Sequence, residues 1–312
     1  MGFHKTLIDK FCNFIAKMDG DRMASQPPYT GLKEVFDIPY ADDGNEIHTL
    51  DIYRPEDNDG ILPVIIDVHG GAWIYGRKEI NKQFCHALAL KGFVVVNINY
   101  RTIRVEDNGT FPNILTDVFL AYNWVEKHIT EYGGDLNNVF LIGDSAGAHI
   151  SGLSLVINSD EEMSKELGMH TDLNFRSFGW VCGVSDVETF RKRHIPILNY
   201  IFELFFGKDW KKNKYVTVAT LRNNDLAKAF PPTFMNSAYA DFMRNDVLTF
   251  EKELESRGIE HEMFYIDEEK AAAYGTGHKL DHCFNVHYPE WPEGDDTNTA
   301  MVEFFRKHMA ND

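Results

Sequence analysis

From Ile61 onward, short apolar runs alternate with longer stretches in which apolar residues recur every three or four positions. The short runs predict buried strands at Pro63–Val68, Phe93–Ile98, Val139–Ile142, Gly179–Cys182, Pro232–Ala238 and Glu262–Ile266. The periodic stretches predict helices at Ile80–Lys91, Asp117–Tyr132, from Ala146 onward, at Asp246–Arg257 and at Thr297–Met309. Alternation of this kind builds a mostly parallel sheet with helices on both faces, an α/β architecture. Upstream, Lys33–Tyr40 and His48–Arg54 read as two strands joined by the turn Ala41-Asp42-Asp43-Gly44-Asn45, an antiparallel pair at the sheet edge. Residues 3–19 carry Phe3, Leu7, Phe11, Phe14, Ile15 and Met18 at near-helical spacing, which predicts an amphipathic helix packed on the body or over the site, ended by Gln26-Pro27-Pro28.

One segment breaks the rhythm. Residues 184–230 are too many for an ordinary connection, and they hold Ile201, Phe202, Phe205, Phe206, Trp210 and Tyr215, with Phe190 and Ile195 before them. That much aromatic surface needs a partner, so the segment is expected to be an inserted helical cap. The expected organisation is a helical segment at 1–30 that joins the cap, a core at 31–183 and 231–312, and the cap insertion at 184–230.

At the centre of the core pattern stands Gly143-Asp144-Ser145-Ala146-Gly147, with a strand directly before it and a helix directly after. Alone, Gly-x-Ser-x-Gly occurs by chance in loops. In this setting it predicts a nucleophile elbow, a sharp strand-to-helix turn that holds Ser145 in a strained conformation above the sheet. The Ala146 N–H at the helix start then points toward any oxyanion that forms there. His69-Gly70-Gly71-Ala72-Trp73 follows the strand Pro63–Val68, where glycines let backbone N–H groups turn inward. Gly71 and Ala72 are the expected partners of Ala146 in an oxyanion hole, with His69 bracing the loop.

A serine nucleophile needs a base, and the base needs an orienting carboxylate. In chain order the acid should precede the histidine on loops beyond the following strands. Asp241 lies just past the strand Pro232–Ala238 and is preferred to Asp246, which is placed to cap the next helix. The long loop after the last strand holds three histidines. His287, before Tyr288-Pro289, reads as structural; His282 is preferred as base because Cys283-Phe284 can fix its ring; His278, after Gly275-Thr276-Gly277, stays open as the alternative.

Composition narrows the partners. The net charge is −17, which opposes nucleic acid and anionic membranes, and no run of 18 apolar residues exists. The four cysteines lie far apart without a C-x-x-C pair, which favours free thiols in a reducing, cytoplasmic setting; Asn108-Gly109-Thr110 carries no meaning there as a glycosylation sequon. No H-E-x-x-H, metal-type cysteine–histidine spacing or nucleotide-binding glycine loop is present, so no cofactor and no metal is implied.

Together, HGGAW, GDSAG and the Asp241 and His282 segments resemble the α/β-hydrolase carboxylesterases of the hormone-sensitive-lipase-like group. Asn99-Tyr100-Arg101 with Phe111-Pro112, Asp117, Trp124 and Pro231-Pro232 extends the resemblance, which covers roughly Val64 to Phe305. It implies a Ser145–Asp241–His282 triad, a twisted α/β-hydrolase sheet, a cap formed partly by the N-terminus, and cofactor-free hydrolysis of short-chain esters. Two departures stand out: Ala72 replaces the group's third loop glycine, and 102–109 lacks its usual Leu-Ala-Pro-Glu. The His-Gly-Gly-x-Trp form also resembles sugar acetyl or feruloyl esterases and kynurenine formamidases (arylformamidases). A non-enzymatic ligand-binding module on the same fold is the remaining alternative. The expected partner is a small-molecule ester, with a homodimer as the assembly allowed.

Overall fold

Val64, Ile66 and Val68 join one apolar cluster while Ile65 between them joins a second, and the same split separates Val94, Val96 and Ile98 from Val95. This is the two-residue period of a pleated strand with both faces covered. The computed structural model describes residues 2–104, 107, 109–188, 196–213 and 215–310. Eight strands form one sheet: β1 (Leu32–Pro39), β2 (Thr49–Pro55), β3 (Leu62–Val68), β4 (Val94–Ile98), β5 (Gly134–Asp144), β6 (Phe175–Val181), β7 (Thr233–Ala238) and β8 (His261–Ile266). Their order is β1-β2-β4-β3-β5-β6-β7-β8. β2 runs antiparallel to both neighbours, and β4 through β8 are parallel, as the edge hairpin and the strand–helix alternation predict.

The helices that bear on function are α1 (Gly2–Ser25), α2 (Lys82–Leu90), α3 (Phe111–His128), α4 (Ala146–Ser159), α5 (Glu161–Leu167), α6 (Pro196–Phe206), two single turns α7 (Tyr215–Val218) and α8 (Leu226–Ala229), α9 (Arg244–Ser256), α10 (Glu268–Tyr274), α11 (Phe284–His287) and α12 (Pro292–Lys307). α2 and α12 supply Phe84, Leu88, Met301 and Phe305 to the core on one face. α3 and α4 supply Ile114, Val118, Val125 and Leu153 to the other.

α1 departs from its expected orientation. Leu7, Phe11, Phe14 and Met18, read from spacing as an inward face, are 41 to 61% exposed, while Ile8, Cys12, Asp19 and Arg22 point inward. The cause is polar. The Arg22 guanidinium donates to the carbonyls of Ile80 and His287, and Asp19 accepts the Tyr75 hydroxyl at 2.9 Å. These bonds fix the rotation of the helix against the pull of its larger apolar side chains. α1 packs on α6, the long helix of the 184–230 segment. In α6, Phe202, Phe205 and Phe206 are buried; the Phe205 ring meets Phe111 and Trp73, and the Phe206 ring meets Phe111, at centroid distances of 5.4 to 5.9 Å. Phe190, Ile195 and the sequon residue Asn108 lie outside the described residues.

Candidate active site

The turn between β5 and α4 is sharp and closely packed. Ser145 sits there at φ 51° and ψ −115°, in a region a β-carbon disfavours, with its N–H bonded to the Val181 carbonyl at 2.8 Å. Gly147 is required by close approach: a β-carbon there would stand 1.9 Å from the Val68 carbonyl oxygen. The strand, the turn and the helix therefore press together as the motif predicts, and the serine is left half-buried at the strand end.

Beyond β7, the chain turns through Asp241, which is 1% exposed. One of its carboxylate oxygens accepts the Ser237 hydroxyl at 2.7 Å; the other accepts the Met243 N–H and the His282 Nδ1–H, each at 2.8 Å. Burial alone would raise this carboxyl, but the bonds from His282, Met243 and Ser237 outweigh it and hold Asp241 below its ordinary range. An ionised Asp241 fixes the proton of the neutral imidazole on Nδ1 and leaves Nε2 as an acceptor. Nε2 lies 2.8 Å from Ser145 Oγ. Three residues from three separate loops thus form one continuous hydrogen-bonded chain.

The alternatives are placed elsewhere. His278 stacks on Trp291 at 3.9 Å and bonds the buried Glu293 at 3.1 Å, so it is held in a different cluster from Ser145. Asp246 does not cap α9 as expected. It sits within the first helical turn and accepts the Ser185 N–H at 2.8 Å and hydroxyl at 3.1 Å, tying α9 to the start of the 184–230 segment. His287 offers its backbone carbonyl to Arg22 of α1 and to Gln26 just beyond it, a structural place as the sequence suggests.

The loop after β3 runs through three consecutive left-handed residues, Gly71 (φ 115°), Ala72 (φ 51°) and Trp73 (φ 63°). Among the described residues, no protein acceptor pairs with the N–H groups of Gly71, Ala72 or Ala146. His69 braces the loop from below: its Nδ1 bonds the Gly70 carbonyl at 2.8 Å and its ring stacks on Tyr100 at 4.3 Å. Burial pushes its pKa down to about 4, so the ring is neutral.

Several supporting residues escaped the sequence reading. Asp144, inside GDSAG, accepts the Gly70 N–H at 2.9 Å, and Asn81 bridges Asp144 and Asp67 at 2.8 and 2.9 Å. This buried layer joins the elbow to the loop after β3. Trp73 Nε1 donates to His149 Nδ1 at 3.2 Å, and His149 Nε2 donates to the Ala219 carbonyl at 2.7 Å, linking loop, α4 and the 184–230 segment. The presence of Asp in GDSAG and Trp in HGGAW was the available signal; their partners lie too far along the chain to be read from spacing. One group of potential metal ligands occurs among the described residues, Cys182, His282 and Cys283. No helix is long and apolar enough to cross a membrane.

Comparison with known proteins adds to this geometry. The protein-family model described as BD-FAE matches residues 50–243. Isoprenylcysteine alpha-carbonyl methylesterase ICME of Arabidopsis thaliana is 37% identical over 117 residues, 38% of this chain and 27% of that protein. Probable carboxylic ester hydrolase LipM of Mycobacterium tuberculosis is 40% identical over 128 residues, 40% of this chain and 28% of that one. The matches thus span little more than a quarter of the length of these relatives. Among solved structures, Esterase B from Lactobacillus rhamnosis, inhibited by a C4-C4 SN3 tributyrin phosphonate, superposes with a TM-score of 0.88 at 24% identity, covering 98% of this chain and 95% of that one. The Bacterial Heroin Esterase structure gives a TM-score of 0.73 at 17% identity, covering 98% and 93%. These two likenesses are of fold.

Proposed function

Since the chain belongs to the BD-FAE family, within the hormone-sensitive-lipase-like α/β-hydrolases, we propose that it is a serine hydrolase of short-chain carboxylic esters. The observation that carries this reading is the chain Ser145–His282–Asp241 beside three N–H groups without a protein acceptor. In the proposed reaction, His282 takes the Ser145 proton as Oγ attacks the ester carbonyl. The carbonyl oxygen gains the negative charge and is met by the N–H groups of Gly71, Ala72 and Ala146, each worth about 3 kcal/mol in such sites. His282 then protonates the departing alcohol, leaving an acyl group on Ser145. Water, deprotonated by His282, releases the acid and restores the serine. Asp241 keeps the ring in the required tautomer and stabilises the imidazolium that forms in each half-reaction.

Substrate class follows from the walls. We assign residues 1–30 and 184–230 to a cap whose Phe205 ring packs against Trp73 of the loop after β3. A packed aromatic wall favours small acyl groups, because each extra methylene adds at most about 0.8 kcal/mol and displacing packed rings costs as much or more. The butyryl-type phosphonate carried by the structurally similar Esterase B supports the same range. No cofactor takes part in this scheme, the partner is a small molecule, and the four thiols, free and buried, suit a reducing compartment such as the cytoplasm.

The test is to assay p-nitrophenyl esters of rising chain length beside N-formylkynurenine and a feruloyl ester, with wild type and Ser145→Ala. The expected result is turnover greatest at acetyl to butyryl esters, steeply lower by octanoyl, and abolished in the variant. Variant activity within about tenfold of wild type would end the triad assignment. Faster turnover of N-formylkynurenine or of the feruloyl ester would move the substrate to that class.

A further inference from the structure

Two of the four cysteines meet beneath the catalytic base. Cys182 follows the last residue of β6 and Cys283 follows His282, and their sulfurs and a ring nitrogen of His282 lie within 4.8 Å of one another. The thiols are fully enclosed, at 0 and 1% exposure, while the His282 side chain keeps 17%. The open approach to the cluster is therefore from the catalytic cleft. Both cysteines occupy the left-handed region, at φ 47° and 57°, which few side chains other than glycine's hydrogen tolerate. Asn236 Nδ2 approaches Cys182 Sγ at 3.9 Å.

The surroundings of the pair are acidic. The Asp241 carboxylate acts electrostatically on both thiols, and Asp144 acts on Cys283. Two buried carboxylates therefore flank two thiols and an imidazole. A cation is the species such a cluster favours, and the donor types select a soft one: two sulfurs and a ring nitrogen make a zinc-type set that leaves the fourth tetrahedral position open.

We propose that Cys182, Cys283 and His282 form a binding site for a thiophilic divalent cation such as Zn2+ or Cd2+, and that its occupation switches hydrolysis off. On binding, each thiol releases its proton to solvent, so two thiolates balance the two charges of the cation. Asp241 is the neighbour of His282 Nδ1 and of the Cys182 thiol, so the cation enters on the Nδ1 side. The neutral ring keeps its single proton, which moves from Nδ1 to Nε2. Nε2 then donates where it must accept, and Ser145 loses its base. Chelation of the cation reverses each of these steps.

The loss of rate rests on the hydrolase reading; the binding does not, so the two are measured separately. Binding is read on the resting protein by the ultraviolet cadmium–thiolate band and by native mass spectrometry with Zn2+. One bound ion and two thiolates are expected, with the band lost in Cys182→Ala and Cys283→Ala and kept in Cys85→Ala. Inhibition is read as hydrolysis of p-nitrophenyl acetate against added Zn2+, each variant compared with its own rate in chelator. Outer-shell partners of a metal already cost 10–100-fold in affinity, so loss of a sulfur ligand should raise the inhibiting concentration by at least about a hundredfold. If either cysteine variant fails to fold, protection of both thiols in the wild type from alkylation by bound Zn2+, mapped by mass spectrometry, replaces it. A band absent from wild type, a band that persists in both variants, or thiols alkylated equally with and without Zn2+ would overturn the site. Binding with an unchanged rate in an active enzyme would overturn the switch.

Discussion

The sheet-borne candidate site and the 184–230 segment, which we propose caps it, are held by different forces. At the strand ends of the sheet, directional bonds fix the catalytic candidates and the loop beside them: Asp241 by three donors, Gly70 by Asp144, and Ser145 by the Val181 carbonyl. In that segment, α6 rests on packed rings, Phe205 edge-on to Phe111 and tilted against Trp73, and Phe206 stacked on Phe111. Hydrogen bonds specify positions to fractions of an ångström, whereas ring packing fills volume and tolerates exchange. A fold that divides its labour in this way can keep one chemistry while its substrate range changes with the cap.

The largest effect should come from the sheet side. His282→Ala removes the only imidazole bonded to both Ser145 and Asp241 among the described residues, and kcat/KM should fall by about four orders of magnitude or more. His278→Ala, which loses a contact with Glu293 and Trp291, should stay within a few-fold of wild type. Steady-state kinetics on p-nitrophenyl acetate compares them, and a swap of the two results would place the base in the Glu293 cluster.

His149 is where the two regions join, and it gives an intermediate effect. Burial pushes its pKa down to about 4, against an ordinary value near 6.5. The unfolded chain therefore takes up a proton first as pH falls, so this group's contribution is constant above about 6.5 and declines until about 4. His69, also lowered to about 4, acts with the same sign, whereas Asp67, raised to about 8 by burial and by Asp144, acts with the opposite one. The group is therefore read by substitution. His149→Gln should cost a few kcal/mol near neutral pH, since Trp73 and Ala219 lose their partner, and the deficit should narrow as pH falls from about 6.5 to about 4. Urea denaturation at several pH values measures it; a deficit that is constant or widens would contradict a buried neutral imidazole.

The smallest effect belongs to the cap. Phe205→Ala should open the wall beside Trp73 and shift chain-length preference toward hexanoyl and octanoyl esters by about tenfold, with acetyl turnover little changed. An unchanged profile would show that α6 lies away from the acyl group.

The sheet region was also the more legible in the sequence. Strand periodicity, the elbow glycines and the order acid-then-histidine carry most of the core, because local sterics and the pleat leave few alternatives. What was hidden is long-range and polar. Asp246 looked like a helix cap until Ser185 supplied its real partner. His278 and His282 share one loop, and what distinguishes them is distant partners, Glu293 on α12 for the first and Asp241 for the second. The rotation of α1 is set by Arg22 reaching distant carbonyls, which overrides the spacing of Phe11 and Phe14. α10, with Glu-Glu-Lys-Ala-Ala-Ala, has no apolar stripe and buries no residue, so periodicity had nothing to detect.

The central claim is that Ser145 is a nucleophile activated by His282 and Asp241. The most direct measurement is covalent trapping with a p-nitrophenyl alkylphosphonate, followed by peptide mass spectrometry. The account predicts one phosphonyl group per chain, on Ser145, with p-nitrophenol released in equal amount, and labelling slowed by orders of magnitude in His282→Ala. A label on another residue, or unlabelled Ser145 in a preparation that hydrolyses esters, would contradict it.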